Sequence, residues 1–284
     1  MHVVVTGATG FIGRALVGAL LERGDAVTAW TRDVARGRKL LGPDVSLAAG
    51  DELDAAVDGC DAVVNLAGES IVGRWSDAKK ETLTRSRVGL TGRVVEAIAA
   101  AQTRPPVLVS GSAVGIFQPG FMQTLCAAWE AAALPAEELG VRVAIVRIGL
   151  VLGTGGGLLG KMGPVFKLGL GGRLGSGDQW MSWIHLDDLV RVILHAIDEP
   201  ISGALTATAP GPVTNEEFSK ALGRALGRPA VLPVPAFAIQ LVMGEAAEML
   251  LDGVRALPAD LLESGFTFAY EDLDGALSEV LSQP

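Results

Sequence analysis

Along the chain, short runs of apolar, mostly β-branched residues alternate with longer stretches in which apolar positions recur every three or four residues. The first pattern suits a strand buried on both faces and the second a helix with one apolar stripe, so their alternation predicts a parallel sheet covered by helices. Strands are expected at about 2–6, 26–31, 45–48, 61–66, 106–110 and 142–148, with helices near 11–23, 76–102 and 121–139. Gly24, Gly59 and Gly140 each stand just before a predicted strand, where a helix ends or a turn feeds in. From Gly149 to Gly177 the texture changes: 12 of 29 residues are glycine, too many for a helix or sheet interior, and a mobile loop system is expected. Beyond it, Trp180 to Ile184 and Ala204 to Ala209 read as strands and Asp187 to Ile197 as a helix. Thr214 to Leu226 reads as a second helix, with Thr214 capping it and Glu217 in capping-box position. The remainder is mostly helical and predicts a smaller C-terminal lobe.

Composition narrows the function. Lys plus Arg (23) against Asp plus Glu (32) gives a net charge of −9, so bulk attraction to nucleic acid or to an anionic membrane is excluded and any anion site must be local. Cys60 and Cys126 are far apart and in no metal-ligand spacing, which argues for a reducing, cytoplasmic setting and against a structural metal. No signal peptide and no membrane span is read.

The strongest motif is Gly7-Ala-Thr9-Gly10-Phe11-Ile12-Gly13, which follows the first strand and opens an amphipathic helix. Glycines there permit a tight turn and a close backbone approach, and the helix start offers N–H groups and a favourable dipole to a pyrophosphate, so a dinucleotide site is predicted. At the end of the second strand, where an acidic residue would hold an adenosine 2′-hydroxyl, the chain has Thr31 and Arg32. A neutral residue and a cation suit a 2′-phosphate, so NADP (NADPH) is favoured over NAD. The competing reading makes Arg32 a solvated charge and lets Asp33 reach the ribose.

This turn, Asn65-Leu66-Ala67-Gly68-Glu69, Ser110-Gly111-Ser112-Ala113-Val114 and Trp183-Ile184-His185-Leu186-Asp187-Asp188 together resemble the extended short-chain dehydrogenase/reductase superfamily. More narrowly, Arg74-Trp75, Ser86-Arg87, Trp129-Glu130 and Gln179-Trp180 resemble its epimerase-family branch of uncertain substrate, the SDR39U type. The resemblance runs over nearly the whole chain. It implies a Rossmann-type doubly wound α/β fold, with residues 1–150 as the NADP-binding domain, 178–200 returning to it, and 151–177 with 201–284 forming the substrate lobe. It also implies that Leu66, Ala67, Gly68 and Glu69 border the cofactor.

In that superfamily a Ser or Thr, a Tyr and a Lys four residues after the Tyr work at the nicotinamide. Ser112 fills the serine position, but the Tyr and Lys positions fall on Phe121 and Leu125, neither of which transfers a proton. The one tyrosine, Tyr270, reads as a lobe-packing residue. The branch usually carries tyrosines and a longer acidic loop after the serine segment, and here Ile116 to Gly120 runs straight into the helix. Cys126 and Glu130, four apart on one helix face, are the remaining acid–base candidates; Cys126 reads as inert core and Glu130 is the better one.

Between Gly140 and Leu186 the sole acidic residue is Asp178, against Arg142, Arg147, Lys161, Lys167 and Arg173. Together with Trp180 and Trp183, these spaced cations suit an anionic ligand with a flat group, such as a nucleotide sugar; the alternative leaves them solvated or structural. His185 reads either as a substrate residue or as orienting a turn whose helix Asp187 and Asp188 cap. Arg74, with Arg85 and Arg87, adds a second basic wall. The apolar stretch Pro233 to Leu251 is expected to be lobe core or a subunit contact. Two functions follow: an NADP-dependent epimerase-, dehydratase- or reductase-type enzyme on a small anionic carbonyl substrate, as monomer or homodimer, or a catalytically silent NADP-binding sensor.

Overall fold

In the computed structural model, which describes residues 1–282, the first half of the chain alternates strand and helix. The order is β1 (His2–Thr6), α1 (Phe11–Glu22), β2 (Ala26–Trp30), α2 (Val34–Leu41), β3 (Ser46–Ala48), α3 (Leu53–Val57) and β4 (Ala62–Asn65). Then come α4 (Asp77–Thr84), α5 (Leu90–Ala100), β5 (Val107–Ala113), α6 (Phe121–Ala133), α7 (Pro135–Glu138) and β6 (Arg142–Ile148). A π-helical turn, Arg85–Gly89, joins α4 to α5, so the long helix expected from periodicity is present with a bulge in its middle. The second half runs β7 (Leu150–Leu152), α8 (Leu159–Lys167), β8 (Trp180–Met181), β9 (Trp183–His185), α9 (Leu186–Asp198), β10 (Gly203–Ala207) and β11 (Val213–Thr214). It closes with α10 (Asn215–Ala225), α11 (Ala236–Met243), α12 (Glu248–Leu251), α13 (Ala259–Glu263) and α14 (Leu273–Ser282).

Seven strands form one parallel sheet in the order β10-β6-β5-β4-β1-β2-β3. Alternation along each strand supplies both faces: Val3 and Val5 join the core under α1 and α9, and Val4 joins the core under α3 and α5. Strand order reverses between β1 and β4, which opens a crevice beyond their C-terminal ends, the place where ligands bind in this architecture.

Three features differ from the sequence reading. The glycine-rich stretch is not one loop, since it contains β7 and the nine-residue α8, which buries Leu159 and Phe166 against the lobe. Tertiary burial there overrides poor helix propensity. The span assigned to the lobe returns to the sheet: β10 pairs with β6 along its whole length, and Leu261, Phe266 and Phe268 pack into the main core. Finally, the apolar Pro233 to Leu251 stretch is not lobe core throughout. It breaks at Gly244 into α11, a 3₁₀ turn and α12, and Phe237, Leu241 and Val242 are 71%, 76% and 73% exposed.

Candidate functional site

The turn after β1 is built of backbone packed on backbone. Gly7 has φ +71°, and a Cβ there would lie 2.6 Å from the carbonyl carbon of Leu66. At Gly13 a Cβ would lie 2.2 Å from the Gly7 oxygen, so α1 can pack this close only without a side chain. Gly10 is the N-cap of α1 and no side chain caps the first turn, leaving its N–H groups to point into the crevice. Phe11 and Ile12 turn their side chains against the core, so their contribution to a ligand is main-chain. The neighbouring β4 is tied in by Thr6 Oγ1 donating to Asn65 Oδ1 (2.6 Å) and Asn65 Nδ2 donating to Thr91 (2.8 Å). This brings Leu66 to Glu69 alongside the turn.

At the end of β2, Asp33 is a helix cap: its Oδ1 accepts the Arg36 N–H at 2.9 Å, and its own N–H donates to Thr31 Oγ1. That use competes with the alternative in which Asp33 reaches a ribose. Arg32 is exposed beside it with no hydrogen-bond or ion-pair partner among the described residues.

At the ends of β5 and β6, Ser112 and Arg147 are register partners, and Glu130 of α6 lies over both. Ser112 Oγ donates to Glu130 Oε1 at 2.7 Å. Arg147 grips the same carboxylate with two bonds, Nε to Oε1 at 2.9 Å and Nη2 to Oε2 at 2.8 Å. Ser112 and Glu130 are buried, and the hydrogen bond to Glu130 pushes the Arg147 guanidinium's pKa up from its ordinary value. In this arrangement the single Ser112 proton is directed at Glu130 and not toward the crevice. The helix that begins above this trio offers no acid–base group at its start: Phe121 packs on Trp75 at 5.2 Å and Leu125 is buried. Burial, with the nearby Glu130 charge, pushes the Cys126 thiol up to about 11, which agrees with an inert core cysteine.

The predicted substrate residues do not form one cluster. Trp183 is fully buried and donates its indole N–H to the Gly211 carbonyl at 2.9 Å, so it is a core residue of the lobe and not a ligand platform. His185 is 2% exposed, accepts the Asp187 N–H at Nδ1 (3.1 Å), bonds Glu279 through Nε2 (2.7 Å) and stacks on Tyr270 at 3.9 Å. Both ring nitrogens are thus engaged and His185 orients the turn, but the helix cap is His185 itself and not Asp187 or Asp188; the Asp188 carboxylate instead accepts the N–H groups of Ala269 and Tyr270. Trp180 is half-exposed with Arg255 over its ring at 5.0 Å. Arg173 donates to the Ser176 carbonyl and faces Glu216 at 3.8 Å. Arg74 lies against Gly244, and Lys161 is exposed on α8. Arg142 is structural, donating to the carbonyls of Ala196, Ile197 and Ile201. Sequence reasoning missed the partnership of Arg147 with Ser112 and Glu130, since only strand register reveals it.

Comparison with known proteins adds a family. The model described as "NAD dependent epimerase/dehydratase family" matches residues 3–124 and 121–206, and a domain of unknown function, DUF1731, matches 234–280. The first match breaks at the start of α6, directly after the short loop that follows the serine strand. An Arabidopsis thaliana relative, the chloroplastic homologue of epimerase family protein SDR39U1, is 41% identical over 99% of this chain and 87% of its own length. The human epimerase family protein SDR39U1 (isoform 2), whose crystal structure was solved with NADPH, superposes with a TM-score of 0.92 at 38% identity over 100% of both chains. A nucleoside-diphosphate sugar epimerase from Corynebacterium glutamicum gives a TM-score of 0.78 at 31% identity over 99% of this chain and 58% of that one.

Proposed function

The chain belongs to the NAD dependent epimerase/dehydratase family, and on that premise we propose that it binds NADPH in the turn after β1 and transforms an anionic carbonyl or hydroxyl compound of the nucleotide-sugar kind. The observation that carries this reading is the turn itself, whose two glycines admit no Cβ and whose helix start is uncapped. The NADPH in the human structure and the nucleotide-sugar epimerase among the similar structures support it. Gly7 to Gly13 would hold the pyrophosphate, Arg32 the 2′-phosphate, and Leu66 to Glu69 the flank. Among the described residues, no helix is long and apolar enough to cross a bilayer.

When bound, the nicotinamide supplies or accepts a hydride. The protein's own part is the proton. A substrate hydroxyl gives its proton to Ser112 Oγ as the Ser112 proton moves onto Glu130 Oε1, 2.7 Å away; carbonyl reduction runs the same path backwards. Arg147 holds the carboxylate in place for this exchange through two hydrogen bonds. Serine and glutamate thus stand where a tyrosine and lysine are absent. The second reading, a silent NADPH-binding sensor, is favoured by one observation: Phe121, Leu125 and Cys126 leave the start of α6 without an acid or base.

Two measurements test this. Calorimetric titration with NADP, NADPH, NAD and NADH is expected to give tight binding of the phosphorylated pair, weakened in Arg32→Asp. With NADPH deuterated at the transferable position and a panel of keto nucleotide sugars, transfer of label to the carbonyl carbon that Glu130→Gln abolishes supports the enzyme. Binding of both redox forms with no transfer supports the sensor, and binding of none of the four ends the cofactor reading.

A further inference from the structure

Near the crevice, one half-buried cation forms no ion pair among the described residues. Arg87 belongs to the π-helical turn between α4 and α5. A widened turn of this kind interrupts a helix and is frequent at functional sites. Here it grips the loop after β4: Ser86 Oγ accepts the Glu69 N–H at 3.0 Å, and Arg87 Nη2 donates to the Glu69 carbonyl at 3.0 Å. The guanidinium lies flat against Gly68, where a Cβ would come within 3.1 Å of its central carbon, so the loop is shaped around it. Its other neighbour is the indole of Trp129, 5.2 Å away.

That leaves two donors unspent. Arg87 Nη1 and Trp129 Nε1 are both buried with no hydrogen-bond partner. Among the described residues no carboxylate forms an ion pair with Arg87: Glu69 is near enough to act on it electrostatically, but its carboxylate faces Lys79 at 3.6 Å. Cys126 is close enough to interact electrostatically, but burial raises that thiol to about 11 and it carries no charge at neutral pH. Burial lowers the Arg87 pKa from its ordinary value, the signature of a cation withdrawn from water without a full replacement. A buried donor pair persists at such cost where an acceptor occupies it during function.

Topology says which acceptor. Strands run β2, β1, β4, β5 across the sheet, with Arg32 at the end of β2 and the phosphate turn after β1. A dinucleotide with its adenosine over β2 and its pyrophosphate over β1 must lay its other half across the loop after β4, where Gly68 and Arg87 meet. We propose that Arg87 is a cofactor-binding residue, its Nη1 and the Trp129 indole N–H donating to ribose–phosphate oxygens on the nicotinamide half of NADPH. This rests on the NADPH reading above.

The test separates the two. Wild type, Arg87→Met and Arg87→Lys are titrated with NADPH and with adenosine 2′,5′-bisphosphate, which carries the adenosine half alone. Arg87→Met is expected to weaken NADPH by roughly 10- to 100-fold, the range for a lost charged hydrogen bond, with adenosine 2′,5′-bisphosphate affinity unchanged and partial recovery in Arg87→Lys. Unchanged NADPH affinity in Arg87→Met overturns the assignment, and so does an equal loss for both ligands, which marks Arg87 as structural. If Arg87→Met does not fold, Arg87→Lys decides alone: its geometry fits the site less well than the planar fork, so a selective NADPH loss is expected, and no selective loss overturns it. Failure of wild type to bind either ligand refutes the NADPH reading and not the Arg87 geometry.

Discussion

Glu130→Gln tests whether the carboxylate holds the end of the sheet together. The substitution removes the negative charge and one of the two acceptor oxygens: with the amide oxygen in the Oε1 place Ser112 and Arg147 Nε keep their acceptor, while an amide N–H is turned toward Arg147 Nη2. Breaking a fully buried ion pair by removing one partner costs about 3–5 kcal/mol. The two side chains are 22% and 11% exposed, so water recovers part of that, and about 2–3 kcal/mol is expected. An unfolding entropy of about 2.1 cal/mol/K per residue over 284 residues makes each kcal/mol worth about 1.7 °C, so the melting temperature falls by about 3–5 °C. Ser112→Ala removes a single neutral donor and costs about 1 kcal/mol, or about 2 °C. The double variant Glu130→Leu/Arg147→Leu leaves no orphaned charge and is expected to recover much of the loss. Scanning calorimetry of the ligand-free protein at pH 7.5 reads all three. A Glu130→Gln melting temperature within about 1 °C of wild type, or a loss smaller than that of Ser112→Ala, would refute the reasoning that Arg147 and Glu130 form the structural core of the site.

Arg32→Asp places a negative charge against the 2′-phosphate and is expected to weaken NADPH by roughly 10- to 100-fold while leaving NADH within about threefold, measured by calorimetric titration. Gly13→Ala introduces a Cβ 2.2 Å from the Gly7 oxygen, so the turn must open; NADPH titration is expected to show no binding, and retained affinity would mean that the turn is not the phosphate site. Both thiols are expected to resist a chromogenic disulfide at pH 8 in the folded protein and to react once unfolded, because burial raises Cys60 to about 12 and Cys126 to about 11. The same shifts set an alkaline limit. An unfolded thiol loses its proton near 9.0 while the folded ones keep theirs, so stability present below pH 9 drains away as pH rises toward 11, and Cys60→Ala should flatten that decline in chemical denaturation.

The sheet was legible because a parallel strand covered on both faces must be apolar at every position, and Val3–Val5, Ala62–Val64 and Val107–Val109 are. The phosphate turn was legible because its requirement is local: seven residues whose glycines meet one another. Edges and lobes were harder. The strand at Gly203–Ala207 looks no different from a lobe strand until it pairs with β6, and the Ala236–Met243 helix has the hydrophobicity of a core helix although its largest side chains face outward. The site shows the same divide more sharply. That the start of α6 holds neither tyrosine nor lysine is read directly from the chain, and the one tyrosine stacks on His185. What stands near those positions is not: Ser112 and Arg147 meet through strand register, Glu130 joins them from α6, and Arg87 reaches the loop after β4 through a helical bulge with no sequence signature. Loss of a residue type is a property of the chain, whereas its replacement is a property of the packed fold. A relative that restores tyrosine at the start of α6 is therefore expected to dispense with the Ser112–Glu130 proton path without needing to change the phosphate turn or Arg87.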